Sequence, residues 1–373
     1  MTANKERWIR PDIAAMEPYT PILPFDVLSR QLGRHVNDIV KLDANENPYG
    51  PSPAALAALQ AERWYHIYPD PDATALREAL AARLNFPAER LLAGMGADEL
   101  IDLVMRATLS PGDLVLNCPP TFGMYAFSTA VNQGRLFDLP RFADFTVDIP
   151  AIKSAIAANP AAKLLFLCSP NNPDGGVIKD RELRALLELP VLIVLDEAYI
   201  EFAEAGGFFS RISWALEHEN LIVLRTFSKL AGLAGLRLGY GAFPSWLLPH
   251  LRKIKQPYNA NVAATSAAIA SLKEPAWMDE KVDLLVAERR RMVAELARFP
   301  FLDPYPSHAN FVLFRVRGRS AALLKEELAA LGVLVRYFSK PGVDNCIRIS
   351  AGRPADTGRL LAALTIIADR HEE

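Results

Sequence analysis

Four short apolar runs, each cut off by a polar or proline-rich cluster, do most to restrict the folds open to this chain. Leu114-Val115-Leu116 stops at Asn117-Cys118-Pro119-Pro120, and Leu164 to Leu167 stops at Cys168-Ser169-Pro170-Asn171-Asn172. Val191 to Leu195 stops at Asp196-Glu197, and Leu221 to Leu224 stops at Arg225-Thr226-Phe227-Ser228-Lys229. A run apolar at every position buries both faces, as inner strands of a parallel sheet do. Helical pattern lies between some of them, as at Asp180 to Glu188. This βαβ alternation predicts an α/β fold with a mostly parallel central sheet between helices.

The flanks differ in texture. Residues 1–35 carry Pro11, Pro18, Pro21 and Pro24 with little apolar periodicity, and are expected to form an arm that packs on the small domain. Residues 36–268 hold the apolar runs and form the expected large α/β domain. They include Ala-rich helices at about 53–62, opened by Ser52-Pro53, and at 73–84. Residues 269–373 form the expected small α+β domain. A long amphipathic helix spans Asp279 to Phe299 there, then strand-like Asn310 to Val316, helical Ser320 to Leu331, strand-like Val333 to Tyr337 and Cys346 to Ser350, and a closing helix.

Composition removes several function classes. Lys plus Arg is 41 against 43 Asp plus Glu, a net charge of −2, which gives no reason to expect nucleic acid or an anionic membrane as a partner. No apolar stretch approaches the roughly 20 residues of a membrane span, and the N-terminus has no apolar leader. Three separated cysteines fit a reduced compartment better than a disulfide framework. A cytoplasmic location is therefore expected.

Open α/β sheets bind ligands beyond the carboxyl ends of their strands. The residues that end the runs should therefore share one crevice: Pro120, Thr121 and Phe122; Asn171 and Asn172; Asp196 and Tyr199; Ser228 and Lys229. A lysine facing a partly apolar crevice is desolvated towards the neutral amine, and neutral amines form Schiff bases with carbonyls. Asp196 ends the most apolar run, where a carboxylate is costly unless it meets a cation. That cation is a metal ion, an arginine or a protonated heterocycle; otherwise Asp196 caps the helix that follows. Gly94-Met95-Gly96-Ala97-Asp98-Glu99 precedes an amphipathic helix, the setting of an anion site, although Glu99 stands where a dinucleotide fingerprint has its third glycine. Arg237 and Arg348 lie among small or apolar neighbours and suit a phosphate or carboxylate. The six histidines form no metal or hydrolase pattern, and no metal is expected.

Together these segments resemble the fold-type I pyridoxal-phosphate aminotransferases and, more narrowly, the histidinol-phosphate aminotransferases. The resemblance rests on Asp43 to Pro48, Tyr68-Pro69-Asp70, Gly96-Ala97-Asp98-Glu99, Pro119 to Tyr125, Ser169 to Pro173, Asp196-Glu197-Ala198-Tyr199, and Thr226-Phe227-Ser228-Lys229 through Arg237. It implies pyridoxal 5'-phosphate as cofactor, with Lys229 holding it covalently and then shuttling the substrate proton. It implies Asp196 on the pyridine nitrogen, Tyr199 and Asn172 on the ring's phenolic oxygen, and Phe122 stacked on the ring. The cofactor phosphate falls to the backbone of Ala97 and Asp98 with Ser228, Arg237 and Tyr68, the tyrosine coming from a second subunit, so a homodimer is implied. Arg348, Tyr19 and Asn45 are implied in substrate binding, with Arg348 shared by the substrate phosphate and the glutamate carboxylate. The implied reaction exchanges the amino group of L-glutamate with that of L-histidinol phosphate. An aromatic-amino-acid aminotransferase and a threonine-phosphate decarboxylase share the scaffold. Two departures stand out: Asn172-Pro173-Asp174-Gly175 replaces the usual Asn-Pro-Thr-Gly, and Leu230-Ala231 follows the lysine where Ala and an aromatic are common.

Overall fold

The computed structural model describes residues 5–18 and 22–370. Twelve strands are described: β1 (Val40–Leu42), β2 (Leu91–Gly94), β3 (Leu114–Asn117), β4 (Arg135–Asp138), β5 (Leu164–Cys168), β6 (Leu192–Asp196), β7 (Leu221–Thr226), β8 (Gly239–Ala242), β9 (Leu302–Pro304), β10 (Phe311–Val316), β11 (Val333–Tyr337) and β12 (Cys346–Ser350). The four apolar runs are β3, β5, β6 and β7.

The large sheet has seven strands in the order β2-β8-β7-β6-β5-β3-β4. Strands β4, β3, β5, β6 and β7 pair in parallel, and β8 is antiparallel to both β7 and β2. Central β6 explains why its run is apolar throughout. Ile193 and Leu195 face a core shared with Leu165, Leu167 and Val223, while Leu192 and Val194 face the opposite core with Phe166 and Leu224. Burying each such side chain contributes about 1.5–3 kcal/mol. The apolar code ends at Cys168, Asp196 and Thr226, where these strands reach a common edge.

The second sheet runs β1-β11-β12-β10-β9, with β1 parallel to β11 and the remaining pairs antiparallel. Val40–Leu42 thus belongs to the small sheet, although the sequence reading begins the large domain at residue 36. A three-residue strand has too short a period to be recognised. The helix Pro275–Leu296 begins earlier than expected, with proline in its first turn, and serves both domains. Met278, Val282 and Leu285 pack with Tyr199, Leu230 and Phe311, whereas Met292 and Leu296 join the small-domain core. In the N-terminal region, Leu28 packs with Ile39 and Leu334, while Arg10 donates to the Val131 carbonyl of the large domain at 3.0 Å.

Candidate active site

One crevice gathers the strand-end residues. Ala97, Asp98, Phe122, Asn172, Asp196, Tyr199, Ser228, Lys229 and Arg237 line it, with Cys168, Ala198 and Thr226. Parallel β5, β6 and β7 deliver Asn172, Asp196 and Lys229 to the same edge because their registers align Cys168 with Asp196 and Asp196 with Leu224.

Asp196 is 3% exposed. The Tyr125 hydroxyl donates to its Oδ2 at 2.7 Å, and the Ala198 N–H donates to Oδ1 at 3.0 Å. The second bond is an Asx turn two residues on; the helix Ile200–Glu204 starts later, with Tyr199 at its N-cap, so Asp196 does not cap it. Burial raises this carboxyl to about 6, against the opposing pull of those two donors. Among the described residues no cationic side chain forms an ion pair with it. Nor does any group of three or more His, Cys, Asp or Glu residues there come together as a metal site. Its open side suits a cation brought by a ligand.

Lys229 stands across the crevice. Its Nζ donates to the Ala44 carbonyl at 3.2 Å and lies 5.4 Å from the centre of the Tyr199 ring. Burial, then the nearby Arg348 guanidinium, lowers the amine to about 8. Tyr199 accepts a hydrogen bond from Asn45 Nδ2 at 3.2 Å, and burial pushes its phenol well up. Asn45, at φ +54°, is held by Ser350, whose hydroxyl accepts from the Asn45 N–H at 2.9 Å and donates to Asn45 Oδ1 at 3.0 Å.

The opposite end of the crevice is built for an anion. The helix Gly96–Thr108 starts there, and its first N–H groups have no partner within the helix. Arg237 pairs with Asp98 at 2.8 Å, both about half exposed. Gly239 of β8 lies so close that a Cβ on it would stand 2.6 Å from the Ala97 nitrogen.

Arg348 lies across the seam between the domains. It donates to Asn172 Oδ1 at 2.5 Å and to the Asp43 carbonyl at 2.6 Å. Tyr68 does not line the crevice of its own chain; it is 79% exposed and stacks on Tyr258 with centroids 4.6 Å apart. Tyr19 lies outside the described residues.

Residues 37–364 match the family model described as aminotransferase class I and II. The chain belongs to the class I and II aminotransferases. Its relatives in that family include the chloroplastic histidinol-phosphate aminotransferase of Nicotiana plumbaginifolia, 51% identical over 96% of this chain and 86% of that protein. The histidinol-phosphate aminotransferase of Roseiflexus castenholzii is 50% identical over 99% of this chain and all of that one. Among solved structures, a histidinol-phosphate aminotransferase from Sinorhizobium meliloti, in complex with pyridoxal-5'-phosphate, superposes with a TM-score of 0.87 at 30% identity over 95% of each chain. The fold-type I reading of the sequence therefore holds, with its large mostly parallel sheet and smaller α+β unit.

Two residues of this aminotransferase escaped sequence reasoning. Tyr125 is fully buried, bonds Asp196, stacks on Phe166 and meets Phe122 edge-on. Phe122 lies in the turn just before the helix Met124–Val131, and the Tyr125 N–H donating to the Phe122 carbonyl at 3.3 Å brings the two rings together, a contact that no periodic pattern announces. Arg336 stands directly opposite Arg348 in the β11–β12 register, and both guanidiniums flank the Phe338 ring. It was visible as the first polar residue of an otherwise apolar strand.

Proposed function

We propose that the chain binds pyridoxal 5'-phosphate and interconverts L-histidinol phosphate plus 2-oxoglutarate with imidazole acetol phosphate plus L-glutamate, a step of histidine synthesis. The carrying observation is the pair at the ends of adjacent strands: an amine lowered to about 8 facing a buried carboxylate that has no cationic partner among the described residues. These residues fit the cofactor. Asp196 would pair with the ring nitrogen, Lys229 would hold the carbonyl carbon covalently, and Phe122 would cover one ring face. Tyr199 and Asn172 would bond the ring's phenolic oxygen. The start of Gly96–Thr108, with Ser228 and Arg237, would receive the phosphate.

When bound, the cofactor supplies an electron-withdrawing ring that stabilises the electron pair left as the amino acid's α-proton departs. Lys229 Nζ is the group placed to take and return that proton, its affinity for it lowered from the ordinary lysine value to about 8. Tyr125 and the Ala198 N–H keep Asp196 ionised and fixed in direction, so its field is already in place before substrate arrives. Arg348 orients the acidic end of the substrate, and Arg336 beside it provides a second positive charge suited to a phosphate. The relatives named for histidinol phosphate support that choice of substrate. The proposed assembly is a homodimer in which Tyr68 crosses to the partner's phosphate site, and the proposed location is the cytoplasm.

The test is borohydride reduction of the protein loaded with pyridoxal phosphate, followed by peptide mapping, alongside rates with histidinol phosphate, phenylalanine and threonine phosphate. The expected result is a covalent tag on Lys229, lost in Lys229→Ala, and fastest turnover with histidinol phosphate. A colourless, untagged protein defeats the cofactor reading; preference for another amine donor defeats the substrate reading.

A further inference from the structure

The turn 171–176 holds a buried acid that the reaction does not need for chemistry. Asp174 is 2% exposed and, among the described residues, has no salt-bridge partner. Its carboxylate accepts from Asn171 Nδ2 through Oδ1, and from the Gly176 N–H at 2.7 Å through Oδ2. Asn171 Nδ2 also donates to the Pro120 carbonyl at 3.0 Å, and Asn171 Oδ1 accepts from the Thr121 hydroxyl at 2.7 Å. Asn171 is itself fully buried and bridges the loops that follow β3 and β5. One loop carries Phe122; the other carries Asn172, which receives Arg348.

We propose that Asp174 is a positioning residue that fixes the orientation of the Asn171 amide and so locks the Phe122 loop to the Asn172 turn on either side of the cofactor. The proposal rests on the cofactor reading above. An asparagine amide can present either end to a partner that both donates and accepts, such as a threonine hydroxyl. A carboxylate only accepts, as does the Pro120 carbonyl, so with both on one side the Asn171 NH2 must face Asp174 and Pro120 and its oxygen must face Thr121, Asp174 contributing the charged acceptor. A threonine at this position, usual in the resembling family, would leave that polarity to the neutral Pro120 carbonyl alone. Holding a carboxylate here has a cost, because burial raises its proton affinity. The opposing influences are Arg141, whose own donors are engaged by the Cys118 and Phe145 carbonyls, and the Asn171 and Gly176 bonds. That cost makes sense if the carboxylate holds that direction more firmly than a neutral acceptor alone.

The experiment titrates pyridoxal phosphate into Asp174→Ala, Asn171→Ala, the double variant and Asp174→Asn, reading affinity and the visible circular dichroism of the bound cofactor, with melting temperature as a folding control. Each single alanine variant should bind about tenfold more weakly, the scale of a lost buried hydrogen bond, and show reduced dichroism. The double variant should be no weaker than either single one, because both break the same link. Asp174→Asn, similar in shape but no longer acceptor-only, should share the reduced dichroism. If Asp174→Ala does not fold, Asp174→Asn and Thr121→Val, which cuts the loop side of the same tie, carry the test. Variants that melt earlier yet keep wild-type affinity and dichroism would overturn the proposal, as would losses that multiply in the double variant. Failure of the unsubstituted chain to take up cofactor overturns the functional reading instead, and the two failures are told apart by that one control.

Discussion

The carboxyl of Asp196 titrates at about 6 in the folded chain against an ordinary 3.8, with burial the largest cause. The sign follows from which state holds the proton more tightly. The folded protein does, so the stability it gains from this group is present at low pH and lost as pH rises through about 6. Above that point, folding without cofactor carries an ionised group into a dry site, at a cost on the order of 3 kcal/mol by 1.36 kcal/mol per unit. Asp196→Asn should therefore make the cofactor-free protein more resistant to urea at neutral pH, with the advantage fading towards about pH 4, while transamination is lost. Equal or lower resistance at neutral pH would mean that the protein already compensates the charge. The same residue shows what was legible at this scale. Asp196 and Lys229 could be found because each breaks a run of apolar neighbours. Tyr125 could not be assigned a role, because it lies on the helix Met124–Val131, its partner Asp196 ends a strand, and only packing brings them together.

At the scale of elements, legibility followed hydrophobicity. Strands β3, β5, β6 and β7 are apolar on both faces and were read directly, whereas β8 is Gly239-Tyr240-Gly241-Ala242 and carries no such run. Its glycines are a record of close approach instead. A Cβ on Gly239 would stand 2.6 Å from the Ala97 nitrogen, 2.7 Å from the Gly96 carbonyl carbon and 3.0 Å from the Arg225 oxygen, all backbone atoms that cannot rotate away. Gly239→Ala must therefore push the start of the helix Gly96–Thr108 out of place, and with it the N–H groups aimed into the crevice. Expected is a loss of more than about tenfold in cofactor affinity, comparable to losing one or more charge-assisted hydrogen bonds. Gly235→Ala, where the added carbon meets nothing within 4 Å, is the matched control and should bind normally. Fluorescence titration with pyridoxal phosphate compares the two; equal affinities would show that the helix start does not hold the phosphate.

For the whole molecule, the domain seam became readable only in three dimensions. Arg348 on β12 reaches Asn172 of the large domain, and β1 leaves the large domain's sequence to pair with β11, links between segments too distant for any local pattern to announce. The surface around Tyr68 poses the same problem between chains. Trp64, Tyr65, Ile67 and Tyr68 are all more than half exposed, an apolar concentration that a monomer has little reason to keep in water. In the proposed dimer a second copy covers this surface and Tyr68 acts at the partner's phosphate site. The two arrangements differ in a way that mixing can read. Lys229→Ala chains lack the amine but keep the tyrosine; Tyr68→Ala chains lack the tyrosine but keep the amine. In a hybrid dimer with Tyr68 acting across the interface, one site carries both defects and the other carries neither, so activity returns on co-refolding two impaired proteins. With Tyr68 acting within its own chain, every site of the hybrid keeps one defect and nothing is recovered. Hybrid dimers confirmed by mass spectrometry and still inactive would exclude the crossing tyrosine, because the intact site that the proposal requires would then be present and silent.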